Sequence, residues 1–448
     1  MTSRSLLVLL AVAVLGVSVA GCETVSKINP FDKKSANKIK ASQGERIPLI
    51  ALNQKLEISD ALKGQSFYLP DPQPVTAWPQ AGGAPGVWID NLAAGAGFRI
   101  AWRKDFGAGS DRKLHLTAPP VAADGRIFVM DAEAHVSALD ANSGDRVWRT
   151  DLAERSRRDK DAFGGGVAFA DGKLFVSSGY RFVAALDAGT GKLLWRTRVE
   201  APIHGAPTVV AGKVFVINVD DELEAFAVDT GVQDWTYQAL TEPARILSAA
   251  APTPAGDTIV AGFASGELVA LRAANGNEEW TATLSRTSRT NALSEIRDIA
   301  GRPVIYNGAV IAGSHSGVFA SIDLRSGDPR WTLPVTTITT PWPAGDVVYV
   351  VSQAGEVVCV ARDNGQVYWI TDLNKGLKRK KRALYFGPVL ANGRLLVVSD
   401  KGKLLSLDPR TGAQQTSLNV GASAMIPPIA LNGALYLVTD KATLVAIR

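Results

Sequence analysis

Few residues in this 448-residue chain have the types and spacing that chemistry needs. The densest acidic group is Asp220, Asp221, Glu222 and Glu224. Such carboxylates could share a proton or a cation, but on a strand and its turn they read first as a solvated edge. The four histidines, His115, His135, His204 and His315, are scattered without metal-ligand spacing. No Asp-rich calcium loop occurs. Nothing pairs a base with an electrophile, so no catalytic residue, metal or cofactor is expected. Cys359 falls at a small apolar strand position and reads as a buried core residue. The other cysteine, Cys22, closes an apolar N-terminal run. Lys375, Lys378, Arg379, Lys380, Lys381 and Arg382 crowd six cations into eight residues. They form either a solvated loop or a patch that attracts acidic protein or anionic lipid. The net charge of +5 selects no partner class, and nucleic acid is not expected.

Residues 1–21 have the pattern of a secretory signal: Arg4, an apolar stretch from Leu6 to Val17, then small residues. The stretch is too short and wrongly flanked for a spanning helix. It ends Val19-Ala20-Gly21-Cys22, which resembles the lipobox of bacterial lipoproteins. That resemblance implies cleavage before Cys22 and acylation of its thiol and new amine. Several acyl chains give stable anchoring where one is marginal. Glu23, rather than Asp, implies sorting to the outer membrane, facing the periplasm.

The elements that carry everything else are written in a repeat. Ala138-Leu139-Asp140 is followed by Gly144 and Trp148, and Ala185-Leu186-Asp187 by Gly191 and Trp195. Weaker copies end at Trp235, Trp280, Trp331 and Trp369, and a seventh has Thr416 in place of Trp. An orphan, Trp102, precedes them all. The step is roughly 45 residues, the period of β-propeller blades. Before each copy lies a second half-motif, such as Pro207-Thr208-Val209 with Gly212 and Val214-Phe215-Val216. Its alternating apolar residues fit strands. The two halves predict an all-β, eight-bladed propeller of four-stranded blades over 97–448. The last blade lacks an outer strand, and the segment around Trp102 should supply it, since an open ring would expose an unpaired edge. The Asp is expected to cap its turn, the Gly to supply positive φ, and the Trp residues to glue blades rather than cage a ligand.

Residues 22–96 lack the repeat and read as the lipidated Cys followed by a tether and linker. Pro70, Pro72 and Pro74 suggest extended chain. The stretch 47–62 reads as a short strand or helix, and Trp78 and Trp88 as docked on the propeller surface or turned to a partner.

The Ala-x-Asp-x-x-x-Gly-x-x-x-Trp pattern resembles that of quinoprotein-type repeats, which two kinds of protein share. One is the pyrroloquinoline quinone dehydrogenases, which often carry adjacent cysteines, calcium carboxylates or a Cys-x-x-Cys-His haem site. This chain has none of these patterns. The other is the BamB family, non-enzymatic eight-bladed lipoproteins of the outer-membrane β-barrel assembly (BAM) machinery. With its lipobox and eight units, the chain resembles that family over roughly 97–448. The resemblance implies a scaffold that aids barrel assembly with other BAM components. Its partners would be the periplasmic POTRA domains of a BamA-like barrel protein and unfolded client strands held by β-augmentation. Two loops would make the POTRA contact: Arg245, Ile246, Leu247 and Ser248 before blade four, and Arg297 with Asp298 before blade five. Leu247 stands where the family has Arg, and Ala300 replaces a second family Asp. Strands alternate in direction, so all connectors from one blade to the next exit on one face. These two consecutive ones should lie side by side, with Ile246 and Asp298 both exposed. The alternatives are connectors that merely pad the rim, a quinone-dependent dehydrogenase, and a cell-wall or polysaccharide-binding propeller.

Overall fold

The computed structural model describes residues 56–153, 162–242, 246, 250–285 and 296–448. The signal segment, Cys22 and Glu23 lie outside them. Among the described residues the chain forms eight four-stranded antiparallel sheets, each a blade. Blade one is Val121–Ala123, Arg126–Met130, His135–Asp140 and Arg146–Asp151, from inside to outside. The order follows from burial. The three inner strands are almost wholly buried, while the outer one alternates exposed and half-buried residues. Packing between blades is apolar: Phe128 and Val136 of blade one meet Val167 and Val176 of blade two.

Blade eight closes the ring as the repeat predicts. Ile429–Leu431, Ala434–Val438 and Thr443–Ile447 come from the C-terminus, and Ile100–Asp105 supplies the outer strand. Trp102 pairs with Ala446 and Lys104 with Leu444. Cys359 is buried opposite Trp369, and burial pushes its thiol well above the usual range.

The motif works across blades. Asp140 Oδ1 accepts the N–H groups of Asn142 and Ser143, which hold its carboxyl below the usual range. Trp148 reaches the next blade, where its Nε1–H donates to Ala188 O at 3.0 Å. Its ring lies on Gly191, where a Cβ would sit 2.5 Å from Trp148 Cε3. Gly191 is therefore needed twice, for its φ of +74° and for the absence of a side chain under the indole. Trp102 meets Gly144 in the same way, and Trp195 meets Gly231. This accounts for Thr416. A Trp there would need the third-to-outer turn of blade eight, but that blade's third strand is C-terminal and its outer strand N-terminal, so no motif Gly exists.

The segment before the ring departs from the expected surface docking. Residues 73–95 bond to the inner strands and their turns, inside the ring that those strands enclose. Trp78 pairs with Ala122 of blade one. Phe169 N–H of blade two donates to Pro79 O, and Val209 N–H of blade three donates to Gln80 Oε1. The chain then returns along blades six to eight. Trp88 Nε1–H donates to Pro343 O, Leu92 N–H to Leu390 O and Gly95 N–H to Gly433 O. Trp78 and Leu92 are buried. The physical reason is that the inner strands leave backbone groups facing an axial channel, and a buried backbone group needs a partner. Further upstream, Asp60–Leu62 makes one 3-10 turn.

Candidate docking site

Each blade's outer strand leads to the next blade's inner strand on one face, and the turns between second and third strands lie on that face too. The connector from blade three to blade four runs from Gln238 to Thr253, and the next from Thr283 to Val304, the longest such stretch in the ring. Of the expected docking residues, Arg245, Leu247 and Ser248 lie outside the described residues. Ile246, Arg297 and Asp298 are described.

Ile246 is half-buried and Arg297 exposed. Asp298, expected to be exposed, is not: it is 5% accessible. Its Oδ2 accepts the N–H of Ile246 at 2.9 Å, and its carbonyl accepts His315 N–H. Ile299 follows it into the core, fitting over Gly262, where a Cβ would lie 2.6 Å from Ile299 Cγ2. Ala300 is buried as well. The two connectors are thus joined by a carboxylate–backbone bond.

Two more carboxylates treat the same connector alike. Glu267 Oε2 accepts Leu240 N–H at 2.9 Å, and Asp221 Oδ2 accepts Glu242 N–H at 3.1 Å. Leu240, Glu242 and Ile246 are therefore held from beneath by Glu267, Asp221 and Asp298. A charged acceptor strengthens such bonds, so these three amides are held in place. Sequence reasoning missed Asp221 and Glu267 in this role. The available signal was positional, because both stand in or beside second-to-third-strand turns that exit on the docking face.

The acidic cluster is also not the solvated edge expected. Asp221 and Glu224 are buried. Glu224 Oε1 accepts Asn218 Nδ2–H at 2.9 Å and Oε2 accepts Gln233 Nε2–H at 3.0 Å. Burial pushes its carboxyl up to about 7, against the Asn218 bond, which acts the other way. The strand's alternation turns Glu224 inward with Phe226, and the amides of Asn218 and Gln233 make that tolerable.

Beside Ile246 lies a recess of about 20 Å³, room for little more than a water. His204, Asn218, Asp221, Phe263 and Asp298 line it. Among the described residues no three His, Cys, Asp or Glu side chains gather to hold a metal. What the described surface can do is offer a half-buried, backbone-held Ile246, with the exposed Arg297 on the next connector, to another protein.

Comparison with known proteins agrees with the repeat. A family model described as outer membrane protein assembly factor BamB matches residues 90–159, 132–371 and 374–448. An outer membrane protein assembly factor BamB from Burkholderia pseudomallei (strain K96243) is 30% identical over 327 residues, covering 72% of this chain and 81% of the relative. The crystal structure of BamB from Moraxella catarrhalis superposes with a TM-score of 0.65 at 19% identity, over 77% of this chain and 99% of that one. The quinohemoprotein alcohol dehydrogenase of Comamonas testosteroni shares the fold at a TM-score of 0.63 and 14% identity, over 83% of this chain and 80% of that one.

Proposed function

The chain belongs to the BamB family of outer membrane protein assembly factors, and from that membership we propose that it is a non-catalytic scaffold of outer-membrane protein assembly. It docks on the periplasmic POTRA domains of a BamA-like barrel protein and aids insertion of β-barrels into the outer membrane. The observation that carries this reading is the 2.9 Å bond from Ile246 N–H to Asp298 Oδ2. It joins into one surface the two connectors that the family resemblance assigns to POTRA contact. Ile246 and Arg297 lie at that surface, and the three carboxylates beneath hold the amides of Leu240, Glu242 and Ile246, which lowers the ordering cost of binding.

The non-catalytic part rests on the channel. A propeller enzyme needs an open axial site for its cofactor and substrate. Here Trp78, Gln80, Trp88 and Leu92 of the chain's own segment bond to the strands that would line such a site. Membrane attachment follows from Cys22, acylated after export, with the propeller facing the periplasm.

The test is a pull-down of the tagged protein from detergent-solubilised envelope, with added quinone as a parallel arm. Co-purification of a barrel protein with POTRA domains, and no quinone-dependent shift in absorbance or melting, is the expected result. Recovery of glycan instead, or a quinone-induced shift, would overturn the reading.

A further inference from the structure

The cations between blades six and seven are not needed by the docking site, and their geometry is specific. Every residue from 375 to 382 is exposed. The loop's base is closed by a buried residue. Asn374 Nδ2–H donates to Ala354 O and Ala383 O, and Asn374 Oδ1 accepts Ala383 N–H at 3.0 Å. Above that clasp, Leu377 N–H donates to Asn374 O, and Arg379–Lys381 makes a 3-10 turn. The six cations are therefore carried on a shaped projection.

No acid among the described residues pairs with any of them. Two acids at the loop's base are already engaged: Asp372 Oδ1 accepts Asn374 N–H, while Asp400 Oδ1 accepts Leu384 N–H and its Oδ2 pairs with Lys401. Like charges held together without counter-charge repel, and an anionic surface relieves that repulsion.

The apolar neighbours favour one kind of surface. Leu377 and Leu384, inside and just after the basic run, are 38% and 53% exposed. Met425, 40% exposed, sits on the next connector, which packs on the same turn of blade seven through Ala424 N–H and Ser399 O. Cations interleaved with exposed leucine and methionine, on a projection rather than in a groove, suit a lipid headgroup layer. There the cations meet phosphates and the apolar side chains reach the acyl boundary.

We propose that the loop 375–382, with Leu384 and Met425, is a contact site for an anionic phospholipid surface. It lies on the same face as Ile246 and Arg297, three blade junctions from the first and two from the second around the ring. A propeller seated there would hold its partner and the membrane at once. The two surfaces use different connectors, so either can fail without the other.

The test is flotation of the mature chain from residue 23, which carries neither the apolar signal segment nor the acylated Cys22. The vesicles are phosphatidylethanolamine with or without phosphatidylglycerol, at low and high salt. The protein should float with the anionic vesicles alone and be released by salt. Lys378→Glu, Lys380→Glu and Lys381→Glu together should weaken partitioning roughly 100-fold or more. Leu377→Asn with Leu384→Asn, at constant charge, should weaken it about tenfold. Circular dichroism should be unchanged in both, because the residues are exposed. Equal flotation with neutral vesicles, or undiminished flotation of the charge-reversed variant, would overturn the proposal. So would a charge-reversed variant that floats normally but no longer co-purifies with the barrel protein, since the cations would then serve an acidic protein face.

Discussion

Glu224 is the residue whose environment departs most from its neighbours. The equivalent positions in blades one, two and four are Ser137, Ala184 and Val269. Burial pushes its carboxyl up to about 7 from an ordinary value of 4.5. The native chain therefore holds a proton that the unfolded chain releases, and stability is lost as pH rises from about 4.5 to about 7. Glu224→Gln keeps the shape, and the Gln233 amide can turn to match it. The variant should match wild type near the acid end of that window and exceed it above pH 7, by up to about 3 kcal/mol. Melting temperature against pH checks this, and parallel curves would refute it. The sequence displayed the carboxylates but not their burial, because strand alternation alone does not say which neighbour's amides await them. The Trp–Gly motif was legible as a repeat. That each Trp covers the next blade's Gly was not, since the contact is set by packing between blades. With it known, Thr416 follows from chain connectivity.

At the scale of elements, the strands were legible because each carries its own alternation and its own Gly turn. The connectors were legible only as positions. Asp298 looked like an exposed acid for a partner, yet it holds Ile246 N–H from beneath. Asp298→Ala should therefore act through the connector. The Ile246 amide should exchange faster with solvent, and stability should fall by about 1 kcal/mol, because a half-buried donor loses its acceptor. An Ile246 amide exchanging at the wild-type rate would show that the bond positions nothing. The segment 73–95 was the least legible element. It has no repeat and three prolines nearby, and its order comes from inner-strand groups far away in sequence. Closure was legible from the unpaired last blade. Removing residues 97–104 strips Trp102 from Gly144 and the outer strand from Thr443–Ile447. A lower, broader unfolding transition should follow, and an unchanged one would contradict closure by this strand.

Over the described residues the eight blades form a ring that sets its features on separate regions. The blades supply rigidity, the segment 73–95 bonds to the inner strands beside their first turns, and one face carries both the carboxylate-held connectors and the basic loop. The sequence indicated that face through strand direction alone, but could not say which connector residues stay accessible. The most direct measurement of the central proposal is the affinity of the purified protein for the POTRA domains of its barrel partner, with and without Ile246→Glu and Arg297→Glu. Both residues reach the surface, so melting temperature and circular dichroism should stay at wild-type values. Binding should weaken about 30-fold or more, the loss expected when an apolar anchor becomes a charge at a protein interface. A well-folded variant that binds the POTRA domains as tightly as wild type would contradict the docking site.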